Sequence, residues 1–495
     1  MSFQCTERLL ILGINIYEGL CTSTERSMAI YTVVTSKSTI LMVALSSAAF
    51  SQTITLSPIS GPPTSTVEVS GSGFSPNASI TIYFSATDEA SATADGSGSF
   101  SNAIQVPASA LPGKRTVTAV PASGDKAQAI FTVYTDWREL GFSPARTAFN
   151  PYENVLNPSN VSGLSVQWSF PTGSNVNSSP AVVNGVVYVG SNDFNVYALN
   201  AGTGAKLWSY ETGGIVQSSP AVVNGVVYVG SEDHKIYALN SSTGAKVWSY
   251  TTGSQVVSSP AVVNGKVFIG AFGGHVFALD ARTGVKLWSY VAGGAVSSSP
   301  AVANGKVYFG SYDYNVYALD ADTGTKLWSF ATGFQVPGSP AVANGVVYIG
   351  SCDSNVYALD ATTGVMNWSY TTGNYVASSP AVANGVVYIG SYDGYLYALD
   401  AGTGAKLWSF FGQTNNDYLP TVANGVVYFG VGGCCGTPNN VYALDASTGA
   451  ALWSYAAGAQ QVTVANGKLY VGAYLDDIYA FTLLPGTGTP GDSDH

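Results

Sequence analysis

Over most of its length the chain is written in short apolar runs that break at regular places on turn residues. One stretch runs Ala181-Val182-Val183, Asn184-Gly185, Val186-Val187-Tyr188-Val189-Gly190, then Val196-Tyr197-Ala198-Leu199, Thr203-Gly204 and Leu207-Trp208-Ser209-Tyr210. Short runs rich in Val, Tyr and Ala suit strands, and no segment sustains a helical apolar period, so few helices are expected. Asn-Gly between two such runs is the strongest short-range hairpin signal, because both central residues of a type I′ turn need positive φ. The pair returns at Asn224-Gly225, Asn264-Gly265, Asn304-Gly305, Asn344-Gly345, Asn384-Gly385, Asn424-Gly425 and Asn466-Gly467. Thr203-Gly204 supplies a second tight turn and Gly190-Ser191 opens a third, which predicts four strands per copy.

Tryptophan keeps time in the same copies. Trp168, Trp208, Trp248, Trp288, Trp328, Trp368 and Trp408 follow one another every 40 residues, and Trp453 comes after 45. Four strands in a repeat of about 40 residues make one blade of a β-propeller. The Trp series and the Asn-Gly series are out of phase: Trp168 precedes the first hairpin, and no Trp follows the last. The final copy, Val464 to Phe481, therefore supplies three strands, and Leu164–Phe170 is the orphan fourth. Joining the two closes a ring and removes both exposed sheet edges. The expected fold is all-β, an eight-bladed propeller over residues 164–482 closed by its N-terminal strand. The alternative, an open solenoid, needs end caps that the sequence does not display.

The run Ala198-Leu-Asn-Ala-Gly-Thr-Gly204-Ala-Lys-Leu-Trp208 carries Ala, Gly and Trp at its first, seventh and eleventh places. The spacing returns at Ala238/Gly244/Trp248, Ala278/Gly284/Trp288, Ala318/Gly324/Trp328, Ala358/Gly364/Trp368, Ala398/Gly404/Trp408 and Ala443/Gly449/Trp453. This pattern resembles the tryptophan-docking repeat of the PQQ-type (pyrroloquinoline quinone) β-propellers. The resemblance covers residues 164–482 and a lead-in, Asp136-Trp137-Arg138, Ala145-Arg146-Thr147 and Asn150-Pro151, similar to the segment before such propellers in bacterial secreted proteins. It implies that each Trp stacks between the Ala and Gly peptides of a neighbouring blade. That role is structural and leaves activity open.

Ahead of the propeller, Lys37 is followed by an apolar stretch from Thr39 to Ala49, and Ala49-Phe50-Ser51 fits a small-x-small cleavage site. Residues 1–51 are expected to be a leader, with Met28 a candidate start; the apolar run is too short to span a bilayer. Residues 52–134 alternate apolar and polar positions around Gly71-Ser-Gly73 and Asp95-Gly96 turns, which predicts a small Ig-like β-sandwich. Residues 135–163 read as a linker and lead-in, and 483–495 as a disordered tail. Charged residues are only 9% and the net charge is −11. With no Lys/Arg run, this argues against nucleic acid and for a secreted, periplasmic or cell-surface monomer.

Chemistry is expected where the copies differ. The Asn-Gly and Thr-Gly face is nearly invariant, whereas the opposite face varies. Before the Ser-Pro step stand Asn177, Gln217, Val257, Ser297, Pro337, Ala377 and Asp417; two places earlier stand Asn175, Ile215, Gln255, Ala295, Gln335, Tyr375 and Asn415. The opposite hairpin shows Phe194, His234, Gly274, Tyr314, Ser354 and Gly394. Asn177, Gln217, His234, Tyr314, Gln335, Tyr375 and Asp417 therefore mark a candidate binding face for a protein or glycan ligand, against plain drift at exposed loops. The one insertion on this face holds Cys434-Cys435, which can form a strained vicinal disulfide. PQQ-dependent alcohol dehydrogenases are similar in placing such a ring over the cofactor, but there it precedes a blade's first strand and here the third, so a loop-rigidifying role is expected. Cys352, Cys434 and Cys435 are an odd number, and disulfides are not expected to hold the fold.

No catalytic, cofactor-binding or metal cluster emerges. His234, His275 and His495 lack metal-ligand spacing. Arg282 is the only Arg after Arg146, which makes an Arg-clamped anionic cofactor hard to build. Asp193, Asp233, Asp313, Asp353 and Asp393 recur at one place and read as turn residues. The expected function is a non-catalytic binding scaffold without cofactor. The alternatives are a quinoprotein dehydrogenase using PQQ and calcium, or a cell-envelope assembly factor.

Overall fold

The computed structural model describes residues 51–122, 124–412, 419–431, 440–473 and 476–484, and the backbone of 8–11, 14–23, 26–35 and 38–42. Those four N-terminal segments pair in chain order as an antiparallel sheet. The leader expected there concerns processing, on which a folded backbone has no bearing. The chain divides into two compact units. One comprises residues 1–58, 67–104 and 116–130; the other comprises 59–66, 105–115 and 131–495.

In the first unit the alternation seen in the sequence becomes short strands in separate sheets. Thr66–Ser72 buries Val67 and Val69 and exposes Thr66, Glu68 and Ser70, as a half-buried strand should. It lies between Thr53–Ser57 and Phe100–Gln105. Ser79–Phe84 pairs antiparallel with both Gly113–Pro121 and Thr87–Thr93, burying Ile80, Ile82 and Phe84.

The second unit is a β-propeller. Among the described residues, eight successive sheets each carry four strands of this repeat, and one has a short fifth strand. The first reads Ala181–Val183 (inner), Val186–Gly190, Asn195–Asn200 and Lys206–Glu211 (outer), all antiparallel. Asn184 and Gly185 have φ of 52° and 75°, as the type I′ turn requires, and every other Asn-Gly pair does the same. The third strand is buried from Val196 to Leu199 because neighbours cover both its faces. Val196 and Ala198 pack toward the second sheet, Tyr197 and Leu199 toward the last. The orphan strand joins as expected: Leu164–Pro171 pairs antiparallel with Asp477–Leu483, with Leu164 opposite Leu483 and Phe170 opposite Ile478.

The tryptophans lock each outer strand onto the next sheet. Trp208 donates its indole N–H to the Ser241 carbonyl (2.9 Å), and the Tyr188 hydroxyl donates to the same oxygen (3.2 Å). A Cβ on Gly244 would lie 2.8 Å from the Trp208 ring, so the glycine is what lets the indole lie against the backbone. Trp453 closes the circuit on the Leu164 carbonyl at 3.2 Å. Gly244→Ala is accordingly expected to cost about 2–4 kcal/mol, combining left-handed strain at φ 72° with overpacking against the ring. Denaturant unfolding checks this; an unchanged midpoint would show that the ring slides aside at little cost.

Candidate functional site

The two mouths of the propeller channel are built differently. At one, residues 136–150 trace an arc across all the inner strands. Trp137 and Val182 exchange backbone hydrogen bonds (2.9 and 2.7 Å). The N–H groups of Val222, Val302, Val342, Val382 and Val422 then donate to the carbonyls of Arg138, Pro144, Ala145, Thr147 and Ala148. Val262 N–H reaches the Glu139 carboxylate (3.3 Å), and Asn150 Nδ2 donates to the Val464 carbonyl (2.9 Å). The segment read from sequence as a linker thus satisfies inner-strand backbone groups in every sheet, which would otherwise face the channel unpaired.

This arc carries buried charge. The Arg146 guanidinium donates to the carbonyls of Pro300 (2.6 Å), Leu140 (3.0 Å) and Ser259 (2.8 Å). Burial pushes the Glu139 carboxyl up to about 7 against the opposing pull of Arg146, and pushes Arg146 down to about 10. Burial also raises Asp136, whose oxygens accept from Asn466 and Asn184. Because the folded value for Glu139 lies above its ordinary 4.5, the folded chain holds a proton that the unfolded chain releases in between. Stability from this group is fully present below about 4.5 and is lost as pH rises through about 7. The unfolding midpoint is therefore expected to fall across that window, with a smaller fall in Glu139→Gln; equal slopes in the two proteins would assign the effect elsewhere.

The opposite mouth is the variable face. In six of the sheets the described hairpin between second and third strands is held by the loop leaving the preceding sheet. The N–H groups of Asn192, Glu232, Phe272, Tyr312, Cys352 and Tyr392 donate to the carbonyls of Asn175, Ile215, Gln255, Ala295, Gln335 and Tyr375 at 2.8–2.9 Å. Asp193 supplies a second tie: it accepts from Gly173 N–H (2.7 Å) and the Tyr197 hydroxyl (2.6 Å). Burial and that carboxylate hold the Tyr197 phenol well above its usual range. The recurrent aspartates are thus framework groups, in line with the turn reading.

On this framework the side chains differ. Tyr314 stacks on Phe334 (centroids 5.2 Å, planes 17° apart), and Phe334 on Tyr375 (6.1 Å, 19°). The three rings are 42%, 38% and 48% exposed, an unusual amount of aromatic surface to leave in water. Tyr314 also sits at φ 71° and His234 at the same value, a left-handed backbone that costs non-glycine residues energy and that Gly274 and Gly394 adopt freely. Of the residues marked from sequence, Tyr314 and Tyr375 are brought together. Gln335 follows Phe334 directly and is half-buried, as are Asn177 and Gln217, while His234 is exposed outside the ladder. Asp417, Cys434 and Cys435 lie outside the described residues. Phe334, Phe272 and Tyr312 were missed. Phe334 takes a place held by Ser174, Gly214, Ser254, Gly294 and Asn374 in the sibling copies, so its change from small or polar to aromatic was the available signal.

Between the two mouths lies a cavity of about 40 Å³, against roughly 300–1,000 Å³ for a site that holds a cofactor. Its lining brings serine, proline and threonine, and Arg146 already donates to three carbonyls. Among the described residues no three of His, Cys, Asp and Glu gather to hold a metal ion. The described channel residues do not fit a quinone paired with calcium. Among those residues, no helix is long and apolar enough to cross a membrane.

A ring of docked four-stranded sheets with Ala/Gly/Trp repeats defines a PQQ-type β-propeller. A family model described as outer membrane protein assembly factor BamB matches residues 160–256, 211–335 and 312–466, more than half of the chain, and the chain belongs to that family. BamB from Moraxella catarrhalis is similar in structure at 20% identity and a TM-score of 0.57, covering 64% of this chain and 99% of its own. The quinohemoprotein alcohol dehydrogenase from Comamonas testosteroni is similar at 18% identity and 0.61, covering 73% and 82%. A europium-containing methanol dehydrogenase is similar at 17% and 0.62, covering 70% and 98%. At these identities the structural likeness establishes the fold alone. No curated protein matches the sequence.

Proposed function

We propose that the chain is a non-catalytic scaffold of the cell envelope that captures a partner protein on its variable face. One observation carries the reading: three exposed aromatic rings stacked across successive sheets, on a backbone lattice that six of the copies share among the described residues. Tyrosine-rich surfaces of this kind dominate the energetics of protein recognition. The family's description as an outer membrane assembly factor supports a protein partner and an envelope setting. A secreted or periplasmic location follows from the leader expected over residues 1–51. The lattice fixes loop geometry in advance, so binding orders little backbone and loses little affinity to it.

Photo-crosslinkers placed at Phe334 and Tyr375 in envelope extracts are expected to trap one protein species, and the same probe at Asn344 on the opposite face none. A Tyr314→Ala/Tyr375→Ala variant is expected to lose at least about 2 kcal/mol of affinity for the trapped partner while staying folded. Equal yields from both faces would defeat the assignment. The enzyme alternative is decided by mixing the purified chain with PQQ and Ca²⁺: tight stoichiometric uptake, followed by absorbance, would overturn the scaffold reading.

A further inference from the structure

We propose that the propeller channel binds a small monovalent anion, of chloride size, between the lead-in arc and the serines of the inner strands. The cavity of about 40 Å³ is lined by Trp137, Arg146, Ser339, Ser379, Thr421 and Gln461 among others. It has room for one such ion or a few waters.

Its wall is rich in donors. Arg146 is 3% exposed, and among the described residues no carboxylate stands within ion-pair distance of it. Its hydrogen-bond partners are three neutral carbonyls, which occupy three of the five N–H groups of a guanidinium. Trp137 is 1% exposed and its Nε1 has no acceptor, although an indole N–H can only donate. The hydroxyl oxygens of Ser339 and Ser379 accept the backbone N–H of Ser299 and Ser339 (both 2.9 Å), which leaves their protons to donate. On the same wall Gln461 Oε1 accepts the Ser179 hydroxyl at 2.5 Å, and the Thr421 hydroxyl gives its proton to the Val462 carbonyl (3.0 Å).

A buried cation without a contacting counter-charge is costly, and so is an orphaned buried donor. Glu139 offsets this only in part, because burial pushes its own carboxyl up to about 7. A water molecule could accept one or two of the donors but would add no charge to the partial offset that Glu139 gives. An anion answers both needs, whereas a cation would sit against the Arg146 guanidinium and the Trp137 N–H.

The test uses the full chain. Crystals grown without halide and soaked in bromide are expected to show an anomalous peak among Trp137, Arg146 and Ser379. In solution, replacing gluconate by chloride at constant ionic strength is expected to raise the unfolding midpoint along a saturable single-site curve. Trp137→Phe, which removes only the N–H donor, is expected to weaken that chloride dependence roughly tenfold. Arg146→Gln should abolish it; should that variant fail to fold, Trp137→Phe carries the comparison. Superimposed chloride and gluconate curves in the unmodified protein, or water in place of the bromide peak, would overturn the proposal.

Discussion

Truncating Trp328 to alanine is expected to lower unfolding stability by about 3–5 kcal/mol. The ring is 8% exposed and packs in one cluster with Tyr308, and Gly364 of the next sheet faces it so closely that an added Cβ would sit 2.7 Å away. The cost is mostly packing, because the carbonyl that its indole serves does not lose every donor. Ala361 O accepts from Trp328 Nε1 (3.2 Å) and also from the Tyr308 hydroxyl (2.9 Å). One sheet earlier the situation differs. Ala321 O accepts from Trp288 (3.1 Å), but Phe268 replaces the tyrosine, and the remaining donor is Lys266 Nζ at 3.4 Å. Trp288→Ala should therefore cost about 1 kcal/mol more than Trp328→Ala, the penalty of a poorly satisfied buried carbonyl. Chemical denaturation of the two variants tests both statements, and the reverse order would show that the shared carbonyl contributes nothing.

The comparison also shows what a repeat makes legible. The phase of Trp168 against the first Asn-Gly pair was enough to place the ring-closing strand, because strand pairing and turn chemistry are local and recur in each copy. The variable face was legible in outline for the same reason: invariant copies make departures visible. Tyr314 and Tyr375 stood out as departures, each within its own series of aligned positions, yet nothing in the spacing said that one ring would bridge them. Phe334 joins them, and it escaped notice because its place in the other copies holds ordinary turn residues such as Gly214 and Ser254.

The lead-in arc was the least legible part. Residues 136–150 have neither apolar period nor strand-like alternation, and their partners are backbone groups of the inner strands, which every copy presents alike. Hydrogen bonds to main chain leave no trace in side-chain spacing. The visible signs were the resemblance of Asp136-Trp137-Arg138, Ala145-Arg146-Thr147 and Asn150-Pro151 to the lead-in of such propellers and the scarcity of arginine, and neither said what Arg146 touches. The conformation is also one that local preference opposes: Phe142, Arg146 and Ala148 have φ of 73°, 56° and 49°. Three left-handed non-glycine residues in so short a stretch persist only where the surroundings over-determine them. Here the surroundings are the eight inner edges.

That dependence makes Arg146→Met the second large effect, with an expected loss of about 3–5 kcal/mol. The substitution keeps much of the side chain's length and apolar stem but removes the donors to Pro300, Leu140 and Ser259, which come from two different sheets and from the arc itself. It also leaves Glu139 buried without the larger of its two opposing charges, Arg138 being the other. If the second loss matters, adding Glu139→Gln should recover part of the stability, because a neutral amide costs less to bury than a carboxylate. The double variant is then less destabilised than the two single losses summed, and the gap grows as pH rises through about 7, where Glu139 ionises in the folded chain. Additive losses at every pH would mean that the two groups act separately, with Arg146 serving only as a clamp on the three carbonyls.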